Sequence, residues 1–242
     1  MISATRVALL VVLACMSSAC LAPQPEPDRL VFSSYTPSNW DIYLFEGRGA
    51  SARALTTHPA LDYEPTFSAD GRWVVFTSER DGSPDLWAIG LAETAQPPQR
   101  LIASDAMEDQ VALSADGETM LFVSTHEGNA DIYSLPFRPH TEQRMADARN
   151  LTRHPGGDFR PSFSPDGTRI AFSSDRDTAP VGHAVFAFAR QREGEVYVMD
   201  LDGDNVERLT RSRSWDGSPV WFLRVPLSNI PQARNSTHDM LG

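Results

Sequence analysis

The sequence predicts an all-β fold built from a repeated unit of four antiparallel strands. Three stretches carry this prediction: PTFSADGRWVVFTSERDG at 65–82, VALSADGETMLFVSTHE at 111–127 and PSFSPDGTRIAFSSDRD at 161–177. Each reads as an apolar strand, an Asp-Gly turn and a second apolar strand. Repetition at this period is typical of a β-propeller, in which each repeat forms one blade.

Alignment of the Asp-Gly turns assigns four strands, a to d, to each blade. Strand a is predicted at 64–68, 110–114 and 160–164; strand b at 72–78, 119–124 and 169–174; strand c at 85–91, 131–137 and 195–201; and strand d at 100–103, 150–152 and 208–210. The b strands are rich in β-branched and aromatic residues, as expected of buried strands. The chain before the first turn adds strands b, c and d at 29–34, 41–45 and 53–56, but no strand a.

A further strand a is predicted at 218–222 (SPVWF), with no strand b after it. The distance from the Thr of strand d to the next Pro is nine residues from Thr56, from Thr152 and from Thr210. We therefore predict a four-bladed β-propeller in which the C-terminal strand completes the N-terminal blade and removes both free edges. A shortened six-bladed propeller is the alternative.

These repeats resemble the TolB-like β-propeller family, whose repeat runs LT…D..P.FSPDG..IAFSSDRDG..DIY. The resemblance covers residues 29–222 and is weaker in the third blade, where Val111 replaces Pro and Leu101-Ile102 replaces Leu-Thr. It implies a periplasmic propeller that works with envelope proteins. Some propeller lyases that are related to this repeat hold a metal in the channel through His, so the resemblance also implies a possible metal site in the channel.

The N-terminus resembles a bacterial lipoprotein signal. Residues 7–14 (VALLVVLA) are apolar but too few to span a bilayer, and small residues lead directly into Cys20. We predict a signal peptide at 1–19, a lipid anchor at Cys20 (alternatively Cys15) and a Pro-rich tether at 20–28. The chain would then be exported to the periplasm and anchored to the outer membrane. Ordinary cleavage after Ala19 is the other interpretation.

Composition excludes several classes of function. The formal net charge is −11, which argues against a nucleic-acid partner. All 21 basic residues are Arg, so a Schiff-base Lys and a phosphate-loop Lys are excluded. The two Cys lie in the N-terminal segment, so the folded domain has no disulfide framework and no Cys-based zinc site. We expect a monomer that meets the membrane only through its lipid anchor.

Four acids lie three residues before the Pro position of each strand a: Asp62, Glu108, Asp158 and Asp216. Because strand a of a propeller lines the channel, these acids would form a ring near one channel mouth. Such a ring could hold Ca²⁺ through oxygen ligands or receive a basic segment of a partner. Alternatively, each acid caps its own turn.

Two histidines, His58 and His154, occupy equivalent positions in blades two and four and are each followed by Pro. Imidazoles near carboxylates suggest a transition-metal site. The equivalent residues in the other repeats are Ser104 and Ser212, so the pattern is incomplete. A solvent-exposed His in a turn is the other interpretation.

Two segments depart from the repeat: an insertion at 178–193 and a tail at 223–242. No G-x-S-x-G, H-E-x-x-H or Gly-rich phosphate motif is present. We therefore predict a non-catalytic platform that binds envelope proteins through the channel mouth and the insertion, without a cofactor. The alternatives are a metal-dependent carbohydrate lyase or hydrolase acting in the channel, and a degenerate propeller without retained function.

Overall fold

The computed structural model describes residues 28–221, apart from 36–37, 48, 93–95, 178–193 and 213. The predicted signal peptide, both candidate lipid anchors, the insertion and the tail lie outside these residues, as does the tether up to residue 27. Within the described part, no helix is long and apolar enough to cross a membrane.

The described residues are almost entirely β-structure. The strands are β1 (Arg29–Tyr35), β2 (Trp40–Glu46), β3 (Arg53–Ala54), β4 (Asp62–Phe67), β5 (Trp73–Ser78), β6 (Asp85–Gly90), β7 (Gln99–Arg100), β8 (Ile102–Ala103), β9 (Glu108–Leu113), β10 (Thr119–Ser124), β11 (Asp131–Pro136), β12 (Gln143–Arg144), β13 (Arg149–Asn150), β14 (Asp158–Phe163), β15 (Arg169–Ser174), β16 (Glu195–Asp200) and β17 (Glu207–Arg208). One 3-10 turn, Met145–Asp147, lies between β12 and β13.

The strands form four consecutive antiparallel sheets. Sheet 1 has the order β1-β2-β3, sheet 2 β4-β5-β6-β7, sheet 3 β9-β10-β11-β13 and sheet 4 β14-β15-β16-β17. A separate parallel pair, β8 with β12, connects the chain after β7 to the chain between β11 and β13. Each predicted strand up to residue 210 is found with its ends within two residues of the prediction, except that the predicted strand at 100–103 is split into β7 and β8. The predicted strand at 218–222 forms no strand within its described part, 218–221.

The strands that correspond to predicted strand a, β4, β9 and β14, are called the innermost strands, and they begin two residues earlier than predicted. Asp62, Glu108 and Asp158 are therefore the first residues of β4, β9 and β14 rather than part of the preceding connection. Hydrogen bonds to the preceding sheet explain the early start: Glu108 N donates to Pro84 O and Asp158 N to Ala130 O, each at 2.8 Å. The first residue of each strand therefore bonds to the preceding sheet as well as pairing within its own sheet.

The hydrophobic core lies between adjacent sheets. Separate clusters fill the spaces between sheets 1 and 2, sheets 2 and 3, and sheets 3 and 4. Phe76, Phe122 and Phe172, at the same position of β5, β10 and β15, have no exposed surface. Phe122 stacks on Tyr133 with ring centroids 5.8 Å apart, and the equivalent stack recurs in sheet 4. Each sheet therefore depends on its neighbour for burial.

Among the described residues, sheet 1 has no innermost strand, and β1 is its edge. Leu30 of β1 is 57% exposed, whereas the residues at the same position of the other three sheets, Val74, Met120 and Ile170, are fully buried. In those sheets the position is covered by the innermost strand, which pairs with it directly in β4–β5, β9–β10 and β14–β15. The exposure of Leu30 follows from the missing strand.

The segment 218–221 starts as an innermost strand would. Asp216 N donates to Gly194 O at 2.8 Å, the same bond that anchors β9 and β14. Trp221 Nε1 donates to Ser162 O at 3.0 Å, which holds the segment against sheet 4. The predicted pairing of Val220 with residues 29–34 is not observed in the described residues, where Val220 is 89% exposed and in no strand.

We expect Phe122→Ala to lower the free energy of unfolding by about 3–5 kcal/mol, because it removes a buried ring and leaves a cavity. Phe32→Ala is the matched control, since Phe32 occupies the same position of the exposed sheet and is only half-buried. It should cost roughly half as much. Urea unfolding measures both, and equal losses would contradict the difference in burial.

Candidate functional site

A central cavity of about 390 Å³ lies between the innermost strands of sheets 2, 3 and 4 and the segment 218–220. Its wall combines polar and apolar side chains. The lining residues are Glu64, Thr66, Gln110, Val111, Ala112, Leu113, Arg160, Pro161, Ser162, Phe163, Ser218, Pro219 and Val220. Sheets 2, 3 and 4 each contribute the corresponding part of their innermost strand to this wall, and residues 218–220 add an equivalent stretch.

One residue per repeat enters the cavity wall from a left-handed backbone conformation. Glu64, Gln110, Arg160 and Ser218 have φ values of 50°, 56°, 51° and 56°. In sheets 2, 3 and 4 the strand register shifts at this point, so the residue lies outside the regular ladder. Positive φ is unfavourable for residues with a side chain, and such strain is concentrated at functional sites.

Polar contacts connect these residues across the cavity. Arg160 N donates to Gln110 Oε1 at 2.8 Å, and Arg160 Nη1 lies 3.5 Å from Glu64 Oε1. Buried Asp109 accepts a hydrogen bond from Thr77 Oγ1 at 2.6 Å. Burial, and then the neighbouring Asp109, raise the pKa of Glu64. The Arg160 side chain keeps 42% of its surface exposed, so the cavity presents a guanidinium as well as a carboxyl and an amide.

Two of the four predicted channel acids form buried ion pairs. Arg80 Nη2 donates to both carboxylate oxygens of Asp62 at 3.0 Å, and Arg176 Nη2 donates to Asp158 Oδ1 at 2.8 Å. Both carboxylates are fully buried. Burial nevertheless raises the pKa of Asp158, and Arg176 opposes the rise. These pairs tie the start of the innermost strand to the chain that follows strand b.

The other two acids have different partners. Glu108 is fully buried and accepts a hydrogen bond from Ser124 Oγ at 2.9 Å. Burial raises the pKa of Glu108 to about 7. Asp216 is half-buried and accepts a hydrogen bond from Ser212 Oγ at 3.1 Å. None of the four acids lines the cavity, whose wall begins two residues further along each strand. Cation or partner binding at these acids stays a prediction.

The two candidate histidines have a local role in their turns. Nδ1 of His58 and Nδ1 of His154 each accept the backbone N–H two residues ahead, at 3.1 and 2.9 Å. The hydroxyls of Ser104 and Ser212 accept the equivalent bond in the other repeats. In the described part of the chain, no three His, Cys, Asp or Glu side chains are grouped to hold a metal. Metal ligation by these histidines stays a hypothesis.

Two sets of residues were not identified from the sequence: those of the cavity wall and the arginines that pair with buried acids between the sheets. The cavity residues Glu64, Gln110 and Arg160 differ in type, and only their place before the Pro position of each repeat could have marked them. Arg80 and Arg176 share the pattern Ser-x-Arg after strand b, a recognisable repeat of a charged residue at a buried junction.

Four consecutive antiparallel sheets, three of which add an innermost strand to the wall of a central cavity, define a β-propeller protein. A family model described as TolB beta propeller domain matches residues 5–148, more than half of the sequence. The chain belongs to this family.

The chain is similar to a Tol-Pal system protein TolB from Anaeromyxobacter dehalogenans, with 28% identity over 75% of this chain and 26% of the relative. It therefore spans about a quarter of the length of that curated relative. A structure of putative TolB from Agrobacterium tumefaciens has a TM-score of 0.63 and 24% identity, covering 80% of this chain and 66% of that one. An oligogalacturonate lyase from Vibrio parahaemolyticus has a TM-score of 0.50 at 16% identity, covering 74% of this chain and 48% of that one. At such identities the two structures show a shared fold.

We expect Arg176→Met to lower the free energy of unfolding by about 3 kcal/mol at pH 7, because Asp158 would be left buried without its partner charge. The loss should shrink as the pH falls through the raised pKa of Asp158, because the protonated carboxyl no longer needs the guanidinium. Chemical denaturation at pH 7 and at acidic pH measures this.

Arg72→Met is the matched control for this variant. Arg72 pairs with Asp70, but the Arg72 side chain is 79% exposed. Its loss should cost less than about 1 kcal/mol. Similar losses for the two variants would show that the ion pair of Arg176 does not stabilise the junction.

Proposed function

We propose that this chain is a non-catalytic interaction protein of the cell envelope and that its central cavity binds a segment of a partner protein. The observation that carries the proposal is the wall of the cavity, in which strained positions present Glu64, Gln110 and Arg160 side by side. The Arg160 side chain stays 42% exposed and that of Glu64 35% exposed, so both can contact a ligand.

The chemistry of the wall suits a peptide. A guanidinium can bind a carboxylate, whereas a carboxyl and an amide can bind the N–H and C=O groups of an extended backbone. Val111, Leu113 and Phe163 add apolar surface between these groups. The lining residues include no His, Cys or Lys, so the described wall offers no imidazole base, thiol or amine nucleophile.

The relatives support an envelope partner. The curated relative from Anaeromyxobacter dehalogenans is named as a Tol-Pal system protein, and this chain matches it over 75% of its own length. We propose by this likeness that the chain works in the periplasm with other envelope proteins. A lipid anchor at Cys20, or alternatively Cys15, would hold it at the outer membrane.

A metal-dependent carbohydrate lyase or hydrolase has less support. The likeness to oligogalacturonate lyase concerns the fold alone at 16% identity. His58 and His154 each use Nδ1 to accept a backbone hydrogen bond, which leaves one ring nitrogen for any other role.

We also propose that the four sheets close into a ring, with 218–222 as the missing innermost strand of sheet 1. Two complementary halves of a blade support this: β1 has an uncovered edge, and Ser218 has the φ of 56° that marks the innermost strands. In sheet 2, Thr66 pairs with Val75. The same register places Val220 opposite Val31.

The partner proposal predicts that Arg160→Glu lowers partner capture from an envelope extract at least about tenfold, because it replaces the guanidinium of the cavity wall with a second carboxylate. Arg169→Glu is the control, since Arg169 belongs to the same sheet but pairs with Glu207 away from the cavity. Quantitative cross-linking compares both with the unaltered chain. Equal capture by all three proteins would remove the cavity as the binding site.

Ring closure predicts a disulfide between Val31→Cys and Val220→Cys when both native Cys are replaced by Ser. Oxidation should give a monomer that migrates faster in non-reducing gels, because paired strands bring their Cβ atoms to about 4.5–5.5 Å. Val206→Cys with Val31→Cys is the control pair. A cross-linked dimer would place the added strand in a second copy, and an absence of cross-linking would contradict closure.

A further inference from the structure

The junction between sheets 2 and 3 lacks the arginine found at the junctions on either side. Arg80 binds Asp62 where sheet 2 meets sheet 1, and Arg176 binds Asp158 where sheet 4 meets sheet 3. The equivalent residue of sheet 3, two positions after the last residue of β10, is His126. His126 is exposed and supplies no buried positive charge to this junction.

The same junction also lacks a threonine hydroxyl. Thr56 Oγ1 donates to Asp41 and Thr152 Oγ1 donates to Asp131, each at 3.3 Å, where strand d ends in sheets 1 and 3. In sheet 2 the equivalent residue is Ile102, which is fully buried and has no donor. Asp85, the counterpart of Asp41 and Asp131, therefore loses a hydrogen bond, and its Oδ1 has no partner in the described structure.

The third difference brings two carboxyl groups together. Glu108 is one methylene longer than the Asp found at this position in β4 and β14. Its backbone N–H donates to Pro84 O at 2.8 Å, next to Asp85, and the two carboxyl groups interact. The two residues are 0% and 1% exposed. Glu108 Oε2 and Asp85 Oδ1 have no hydrogen-bond partner among the described atoms. Ionised carboxylates only accept, so the two groups can satisfy each other only if one of them carries a proton.

We propose that Asp85 and Glu108 form a buried proton-binding site, in which one shared proton takes the place of the arginine charge and the threonine hydroxyl of the neighbouring junctions. The proton is held below neutral pH, and its release around neutral pH sets two adjacent buried charges against each other and loosens the contact between sheets 2 and 3.

The remaining charged groups near this site are satisfied elsewhere. Arg100 binds Glu142 at 2.6 Å and lies 3.5 Å from Asp81, on the outer side of sheet 2. Arg100 favours the charged form of Asp85 and Asp81 opposes it, but burial is the larger effect and raises the pKa of Asp85. Burial likewise brings the pKa of Glu108 to about 7.

The polar neighbours that face the pair are hydroxyls. Ser83 Oγ donates to Asp85 Oδ2 at 3.4 Å, and Ser124 Oγ donates to Glu108 Oε1 at 2.9 Å. The Ser104 hydroxyl also lowers the pKa of Glu108. Together these three hydroxyls partly favour the ionised forms, yet they bring no charge to balance them.

The site is connected to the central cavity. The strand β9 begins at Glu108 and reaches the cavity wall at Gln110, whose side-chain amide accepts a hydrogen bond from Arg160. A change in the position of Glu108 therefore acts on the wall two residues away. Proton release would loosen the cavity as well as the junction.

The direct test is a titration of the intact chain labelled with ¹³C at the Glu side-chain carboxyl, followed by NMR. The signal absent from Glu108→Gln identifies Glu108. We expect its midpoint near pH 7, against roughly 4.3 for exposed Glu residues. A midpoint between 4 and 5 would overturn the proposal, because Glu108 would then be ionised at neutral pH.

Stability supplies a second test. A group whose pKa is raised by folding stabilises the protein fully below its unfolded value, near 4.3, and this stabilisation disappears as the pH rises through the folded value. For the unaltered chain, Glu108 should lower the folding equilibrium constant on the order of 100-fold between pH 4.5 and 8. Glu108→Gln should remove that part of the pH dependence, and Glu118→Gln, an exposed acid of sheet 3, should not.

His126→Arg restores the missing charge and keeps the test decisive if Glu108→Gln fails to fold. It should lower the midpoint of the Glu108 titration and flatten the stability profile, because a guanidinium favours the ionised carboxylates. An unchanged midpoint would contradict the comparison with Arg80 and Arg176. The titration is repeated with added CaCl₂ and with EDTA. A midpoint that falls in Ca²⁺ and recovers in EDTA would replace the shared proton by a cation and overturn the proposal, whereas equal midpoints would support it.

Discussion

The contact between neighbouring sheets is the constraint on which the rest of this structure depends. Each sheet has an apolar surface that only the next sheet covers, and the largest fully buried residues, such as Phe122 and Phe172, lie in these contacts. Because a sheet cannot be stable alone under this arrangement, the innermost strand must be fixed to the preceding sheet as well as to its own. The backbone bonds of Glu108 and Asp158 do this.

The innermost strand therefore has two roles within a few residues. Its first residue is a buried acid at the junction, and the third is a strained residue in the cavity wall, as in the step from Asp158 to Arg160. At two junctions an arginine pairs with this acid. The same strand can then present a polar side chain at a fixed place in the cavity, which is what a recognition surface requires.

Much of the fold could be predicted from the sequence, because a repeated strand, Asp-Gly turn and strand encode local structure. The turn at Asp70 illustrates this: Ser68 Oγ and the Arg72 N–H both donate to its carboxylate, and together they lower its pKa to about 2. The cavity residues were not predicted. Their role follows from a register shift in each inner strand, which depends on contacts between sheets and not on local pattern.

The acids show the same division. Their regular spacing before each Pro identified them as a set, and the structure brings three of them to the junctions between sheets. That Asp62 is neutralised by Arg80 whereas Glu108 contacts Asp85 was not predictable, because the partners are distant in sequence and come from different strands. The sequence by itself determined the repeat, the strands and their turns, since these depend on near neighbours. Only the tertiary structure decided which groups are buried together, because burial and charge pairing arise when separate sheets meet.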